Sequence, residues 1–313
     1  MKILITGGAG FVGSHLANRL ACTKNKIYVV DDLSSGKKSN LRNKKIKFIK
    51  TSILNKKKIN DVLINCDVLI HLAAFVEVEK SIHYPKKCIL VNIKGIENIL
   101  SCKNIAFVKK IIFASSCSVY SDDFKNKLHE NSSLKPTTPY AASKLLGEIL
   151  IKNFCIKRKI KYVILRCFNI YGANDNKDSN YSAVISKFIL ESISKNKITV
   201  YGSGKQTRDF IFIKDVVDIY QKMIKNSAIG TFNLGSGRNI SINLVAKILK
   251  KINKKLIINC DPFHNTGIKK SIASIKKIKK ITKFKPNISF AKNIKALYKR
   301  KYEDAKKNKY LMS

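Results

Sequence analysis

Lys2 to Thr6 is a short apolar run that breaks into Gly7-Gly8-Ala9-Gly10-Phe11-Val12-Gly13, and no other passage constrains the chain as strongly. The run reads as a buried strand, and residues 14–21 beyond the glycines read as a helix. Glycines in such a turn permit a tight bend and let backbone approach a pyrophosphate, whose charge is favoured at a helix N-terminus. Two frames fit the spacing, one through Gly8, Gly10 and Gly13 and one through Gly7, Gly10 and Gly13. A glycine turn that binds nothing is the bland alternative. Against it stands a second strand, Ile27-Tyr28-Val29-Val30, which ends at Asp31, 18 residues past Gly13. A carboxylate there accepts hydrogen bonds from an adenosine ribose and repels a 2′-phosphate, so the expected cofactor is NAD rather than NADP. Lys37 and Lys38 nearby moderate that preference.

Strand and helix patterns go on alternating. Phe48-Ile49-Lys50 and Val68-Leu69-Ile70-His71-Leu72 read as strands with a helix near residues 59–64 between them, and residues 91–102 read as a further helix. Lys110-Ile111-Ile112-Phe113-Ala114 is a buried strand that runs into Ser115-Ser116-Cys117-Ser118-Val119-Tyr120. The alternation predicts an α/β fold, a doubly wound parallel (Rossmann) sheet, with sites at the carboxyl ends of its strands. Ser116 falls at such an end. Leu72, Ala73 and Ala74 supply small residues where a chain passes close to a flat ligand, while His71 reads as a structural turn histidine.

Thr137-Thr138-Pro139-Tyr140-Ala141-Ala142-Ser143-Lys144 starts a helix: proline suits the first position and a threonine before it caps the free amides. Tyr140 and Lys144, four residues apart, share a face. An ammonium beside a phenol favours the phenolate, so a group that titrates near pH ~10 is expected to act as a base close to neutrality. Taken alone, the pair fits an ordinary surface helix equally well.

At 313 residues, one large domain or two intimately joined ones are expected. The net charge of +42 would suit nucleic acid or an anionic membrane, but of 62 basic residues only seven are Arg. The Lys residues are dispersed and accompany abundant Asn and Ile, as an A/T-rich genome produces, so no specific nucleic-acid partner is expected. Residues 292–309 form the most basic stretch and read as a solvated helix end. Eight cysteines without a Cys-x-x-Cys pair read as reduced, mostly buried thiols, with no metal site. No membrane-spanning apolar run or signal peptide is evident, and a cytoplasmic protein is expected.

Taken together, these motifs resemble the extended short-chain dehydrogenase/reductase family, within it nucleotide-sugar epimerases of the UDP-glucose 4-epimerase type. The resemblance rests on the glycine segment, on Asp31-Asp32-Leu33-Ser34, on His71-Leu72-Ala73-Ala74, on Ser115 to Tyr120 and on Tyr140-x-x-x-Lys144. It extends through Leu165-Arg166-Cys167-Phe168-Asn169-Ile170-Tyr171-Gly172 and Tyr201-Gly202-Ser203-Gly204-Lys205-Gln206-Thr207-Arg208-Asp209-Phe210, in family order to about residue 240.

The resemblance implies a division of the chain and a role for each matching residue. Residues 1–172, with 205–240 returning to them, would bind NAD, and residues 173–204 and 241–313 would form a smaller lobe for the nucleotide sugar. Tyr140 would be the acid/base on the sugar 4-hydroxyl, Lys144 would bind the nicotinamide ribose, and Ser116 would hydrogen-bond the reacting oxygen. Gly7, Gly10, Phe11, Val12, Gly13, Asp31, Asp32, Ser52, Ile53, Leu72, Ala73, Ala74, Asn92 and Phe168 would complete the cofactor site. Ser118, Asn169, Ala183, Val184, Arg208, His264 and Ser271 would join Ser116 on a UDP-sugar, with Arg208 clamping the diphosphate. The alternative for Arg208 is an ion pair with Asp209 or Asp215. A homodimer through the Tyr140 helix and the helix at 93–102 is also implied.

Departures from the family pattern sharpen the choice of reaction. Sugar 4,6-dehydratases carry an Asp-Glu pair where this chain has Cys117 and Ser118, which disfavours dehydration. Thr51-Ser52 replaces a Gly-Asp pair near the adenine. Pro262-Phe263-His264-Asn265-Thr266-Gly267 lacks the usual phosphate-gripping Arg, and Ala273-Ser274 replaces Ala-Asp. Ser271 stands where plain-hexose enzymes hold a bulky Tyr, leaving room for a 2-acetamido group. The expected reaction is therefore 4-epimerisation of UDP-glucose/galactose or UDP-N-acetylglucosamine/N-acetylgalactosamine through a 4-keto sugar. Uronate 4-epimerisation, decarboxylation and 4-keto reduction stay open, as does a non-catalytic NAD-binding protein that associates with RNA or membrane.

Overall fold

A computed structural model describes residues 1–121, 126–173, 184–263, 270–287 and 289–310. The first half runs β1 (Lys2–Thr6), α1 (Phe11–Ala21), β2 (Lys26–Asp31), β3 (Ile46–Lys50), α2 (Lys56–Leu63), β4 (Val68–His71), α3 (Val78–His83), α4 (Pro85–Ile89), α5 (Gly95–Leu100), β5 (Lys110–Ser116) and α6 (Pro139–Arg158). There follow β6 (Lys161–Cys167), β7 (Asn169–Tyr171), α7 (Val184–Ser194), β8 (Lys197–Tyr201), β9 (Thr207–Arg208), β10 (Phe210–Phe212) and α8 (Ile213–Lys225). The chain ends with β11 (Gly230–Leu234), β12 (Ile240–Ser241), α9 (Ile242–Ile252), β13 (Ile257–Asp261), α10 (Lys276–Thr282) and α11 (Phe290–Tyr310).

Seven parallel strands lie in the order β11-β6-β5-β4-β1-β2-β3. Strand order reverses between β1 and β4, and the carboxyl ends on either side of such a reversal open a crevice for a ligand. Both faces of the sheet are covered, as its continuous apolar strands require. Ile3 and Ile5 of β1 point to one face with Leu16 and Leu20 of α1 and Val216, Ile219, Tyr220 and Met223 of α8. Leu4 points to the other, with Ile59 and Leu63 of α2, Ile96 and Ile99 of α5, and Ile151 and Cys155 of α6. A third cluster joins Ile185, Phe188 and Ile189 of α7 to Ile198 and Val200 of β8, Val245 and Leu249 of α9, and Ile294 and Leu297 of α11.

Several sequence expectations change here. The stretch at 91–102 does not open as an α-helix: Leu90–Lys94 is a π-helical turn, and only Gly95–Leu100 continues as α5. Its Ile96 and Ile99 are buried in the core, so they are not available to a dimer partner. The basic stretch at 292–309 is more than a solvated end, because α11 buries Ile294 and Leu297 as its apolar stripe. Residues 241–313 are not confined to one lobe either: Ile278 of α10 and Phe284 pack into the first core, against the sheet. All eight cysteines are free thiols; Cys22 and Cys260 are exposed. Among the described residues no helix is long and apolar enough to cross a membrane.

Candidate active site

Helix α6 delivers the phenol and the ammonium to the carboxyl end of β5. Thr138 is its N-cap, accepting from the Ala141 amide at 3.2 Å, and Pro139 takes the first position, where no amide needs a partner. Tyr140 and Lys144 are both buried. Ser116 is the polar neighbour that acts on the Tyr140 phenol. Ser116 Oγ itself accepts from the Ser118 hydroxyl at 2.9 Å and the Ser118 amide at 3.2 Å. Lys144 Nζ donates to the Ala114 carbonyl at 2.9 Å and lies 5.8 Å from the centroid of the Tyr140 ring.

Electrostatically the pair departs from the sequence expectation. Burial pushes the Tyr140 phenol above its ordinary value, with the nearby Ser116 hydroxyl opposing the rise. Burial also lowers the Lys144 ammonium to about 8. Desolvation penalises both charged forms, and the Lys144 ammonium is spent on a carbonyl, so here Ser116 is the neighbour that favours the phenolate.

The glycine turn passes the test of a dinucleotide cradle. Gly7 has φ +68, and a Cβ on it would lie 2.6 Å from the Ala73 amide nitrogen. A Cβ on Gly13 would meet the Gly7 carbonyl oxygen at 2.3 Å, whereas Gly10 meets only that oxygen, at 3.3 Å. Gly8 is closed as well, a Cβ there meeting Val29 Cγ1 at 2.6 Å, so packing holds both frames and Gly7 is set apart from Gly8 by its positive φ. No side chain caps α1 at Gly10, which leaves its first turn, with Phe11 and Val12, suited to an anion. Asp31 is held at the end of β2, Oδ2 accepting from the Ala9 amide at 2.9 Å and Oδ1 from Leu33 at 2.8 Å. Asp32 beside it accepts from the Ser34 amide at 2.9 Å.

Other predicted cofactor contacts sort by what their side chains already touch. The Leu72 amide donates to the Thr6 carbonyl and the Ala73 amide to Thr6 Oγ1, which fixes Leu72 and Ala73 against the turn, with Ala74 next in the chain. Ser52 Oγ accepts from Leu54, and Ile53 packs into the core under Gly95, leaving only its peptide to face a cofactor. Asn92 likewise does not offer its side chain. Its amide is consumed by the Phe75 N–H (2.7 Å), the Phe75 carbonyl (3.1 Å) and Ser143 Oγ (2.8 Å). Phe168 is buried in a small cluster with Val119, Tyr120, Leu128 and Ala273. His71 is only half satisfied: Nδ1 meets Thr6 Oγ1 at 2.7 Å, Nε2 is buried without a partner, and burial lowers the ring to about 3.

Of the residues expected to bind a sugar, Ser271 and Arg208 come together with the loop that follows Ser116. Ser271 is buried, its amide donates to the Thr207 carbonyl at 3.3 Å, and its side chain acts on the thiol of Cys117, the residue after Ser116. Arg208 acts electrostatically on that same thiol, and its Nη1 donates to the Thr207 carbonyl at 2.9 Å. Asp209 and Asp215 hold backbone amides: Asp209 accepts from Ser236, Gly237 and Ala273, and Asp215 from Asn287. Asn169 bonds the Asp209 carbonyl through its amide at 3.0 Å. Val184 starts α7 and packs on the third cluster. Ala183 and His264 lie outside the described residues.

Sequence reasoning passed over Glu148 and Arg166, which form a buried pair with Nη2–Oε2 at 2.7 Å and Nε–Oε1 at 2.9 Å. Ser115 also donates to Glu148, so the pair ties α6 to β5 and β6 just behind Ser116. The signal was available: Glu148 lies one turn past Lys144, and Arg166 interrupts an apolar strand.

Residues 3–235 match the model of the NAD dependent epimerase/dehydratase family. The chain is 35% identical over 252 residues to a putative UDP-glucose 4-epimerase of Methanocaldococcus jannaschii, covering 79% of this chain and 81% of the relative. To the UDP-N-acetyl-alpha-D-glucosaminuronate decarboxylase of Bacillus cytotoxicus it is 31% identical over 309 residues, 94% and 95% of the two chains. Among solved structures, a UDP-N-acetylglucosamine 4-epimerase from Methanobrevibacter ruminantium M1, in complex with UDP-N-acetylmuramic acid, matches with a TM-score of 0.90 at 30% identity. That match covers 97% of this chain and 98% of the other.

Proposed function

Because the chain belongs to the NAD-dependent epimerase/dehydratase family of extended short-chain dehydrogenase/reductase enzymes that act on nucleotide sugars, we propose that it epimerises a UDP-linked hexose at C4, with UDP-N-acetylhexosamine the favoured substrate class. The observation that carries the reading is the convergence of buried Tyr140 and Lys144 on Ser116 at the carboxyl end of β5, beside a loop whose next residues, Cys117 and Ser118, include no carboxylate for an elimination. Its cofactor is NAD, which when bound supplies a reversible hydride acceptor. Gly7, Gly10, Gly13 and Asp31 would hold it.

In this reading Ser116 Oγ orients the sugar 4-oxygen and Tyr140 Oη takes its proton as C4 is oxidised. Tyr140 returns that proton to the 4-oxygen when the other face of the 4-keto sugar has been reduced. Burial of Tyr140 and Lys144 excludes water from the exchange. Arg208 suits a diphosphate through its planar fork of donors. Ser271, small and beside Cys117, leaves volume for an acetamido group. We further propose that two copies pair through α6, which exposes Leu146 and Ile149, together with the neighbouring Ile89 and Leu90.

The test is incubation with UDP-N-acetylglucosamine, UDP-glucose and UDP-glucuronate in separate reactions, products resolved by proton NMR, beside Tyr140→Phe. The 4-epimer of the acetamido sugar, lost in the variant, is the expected result. A pentose formed from the glucuronate would replace epimerisation by decarboxylation.

A further inference from the structure

The Tyr140 peptide is gripped on both sides by buried serines. Ser81 of α3 is fully buried; its Oγ accepts from the Tyr140 amide at 3.2 Å and donates to the Val78 carbonyl. Ser143, also buried, donates to the Tyr140 carbonyl at 2.8 Å and accepts from Asn92 Nδ2 at 2.8 Å. Accounting for the first turn of α6 shows what Ser81 adds. Pro139 has no amide, Ala141 donates to the Thr138 side chain, and Ala142 donates to the Thr138 carbonyl. Tyr140 holds the one remaining amide of that turn, and its acceptor comes from another helix rather than from the cap. Local sequence would have sufficed to cap the helix, so this long-range bond serves placement.

The grip leads back to the loop that follows β4. Asn92, in the π-helical turn, binds both the N–H and the carbonyl of Phe75. Phe75 lies two residues past Ala73, and the amides of Leu72 and Ala73 are pinned to Thr6 beside the glycine turn. A set of hydrogen bonds joined by short stretches of backbone therefore links Thr6, next to the cofactor turn, through Leu72, Ala73, Phe75, Asn92 and Ser143 to the backbone of Tyr140. Ser81 closes it from the other side, on the helix that the same loop leads into. A π turn at this point widens the helix by one residue and lets Asn92 reach two elements at once.

We propose that Ser81 and Ser143 are positioning residues that bracket the Tyr140 peptide and, through Asn92 and Phe75, make the reach of its phenol to Ser116 depend on the conformation of the 72–75 loop. The proposal rests on Tyr140 being the acid/base of the reaction argued above. Without the bracket the first turn of α6 shifts relative to β5, and the phenol and Ser116 lose alignment while the sugar contacts at Arg208 and Ser271 stay in place.

The experiment compares the holoenzyme with Ser81→Ala and Ser143→Ala, and with Ile151→Val, a core change farther along the same helix that touches neither serine. Each protein is also prepared with 3-fluorotyrosine, and the Tyr140 resonance is assigned by its loss in Tyr140→Phe. Misplacement of a reacting group by a fraction of an ångström to 1 Å predicts a fall in kcat of about ten- to a hundredfold for each serine variant. KM for the sugar stays within about twofold, since its binding groups are untouched. The Tyr140 fluorine signal moves in both serine variants and stays at the wild-type position in Ile151→Val. Unchanged kcat and an unmoved signal in Ser81→Ala and Ser143→Ala would overturn the bracket, as would equal effects in Ile151→Val. If the wild type turns over no UDP-sugar, the epimerase reading fails on its own, and the fluorine signal still decides whether the serines position the phenol.

Discussion

At the scale of single residues, the site is governed by desolvation more than by charge pairing. Lys144 sits at about 8 in the folded chain against an ordinary 10.5, because burial disfavours its charge. A lowered lysine contributes fully above pH 10.5, where both states are neutral, and loses that contribution as pH falls towards 8, because only the unfolded state takes up the proton. Lys144→Met therefore gains stability relative to wild type at pH 7 to 8, on the order of 3 kcal/mol, and the gain disappears by pH 10.5. Urea unfolding of both proteins at the two pH values checks this, and a difference independent of pH would refute it. His71 obeys the same sign: its ring, held to about 3, makes the fold lose stability as pH drops below 6.5. The residue types at the site were legible in the chain because the phenol and lysine at i and i+4 occur together with the glycine turn, Asp31 and Ser116. Their titration was not, because burial by residues distant in sequence outweighs the neighbour the spacing supplies.

At the scale of elements, the strand-turn-helix start and the Tyr140 helix were legible because each carries its own signals. Glycines at fixed offsets, a Thr-Pro cap and a period-3.6 apolar stripe act within about ten residues. The π turn at Leu90–Lys94 was not legible, since what selects it is the pair of partners Asn92 reaches, Phe75 and Ser143. Nor was the true limit of the proposed pairing surface. Helix α6 exposes Leu146 at 43% and Ile149 at 47%, and beside it Ile89 and Leu90 stand 51% and 48% exposed, whereas α5 turns its apolar residues inward. Apolar side chains grouped this way are a face for a partner. The paired changes Leu146→Glu and Ile149→Glu are expected to convert a dimer to a monomer in light scattering with each chain still folded. A wild-type mass of one chain at micromolar concentration would exclude the pairing.

At the scale of the whole molecule, the charge of +42 shapes behaviour in solution without specifying a site. The lysines are dispersed, and among the described residues the exposed ion pairs are few and individually weak. Retention on a polyanion such as heparin or RNA is expected to be insensitive to sequence and to fall by orders of magnitude between about 50 and 200 mM salt, as release of condensed counterions dictates. Binding of one RNA sequence that survives such salt would point to a built surface instead. The sequence by itself determined the doubly wound fold and the dinucleotide turn, and singled out Ser116, Tyr140 and Lys144 as candidates, because apolar periodicity, glycine offsets and helix caps are short-range constraints written in contiguous residues. Only the tertiary structure decided which groups those residues meet: Ser116 rather than Lys144 as the phenol's partner, Cys117 against Ser271, and Ser81 beneath the Tyr140 amide. Those contacts join residues from 24 to more than 150 positions apart, and they exist only once the two apolar faces of the sheet have been covered and water has left the crevice between them.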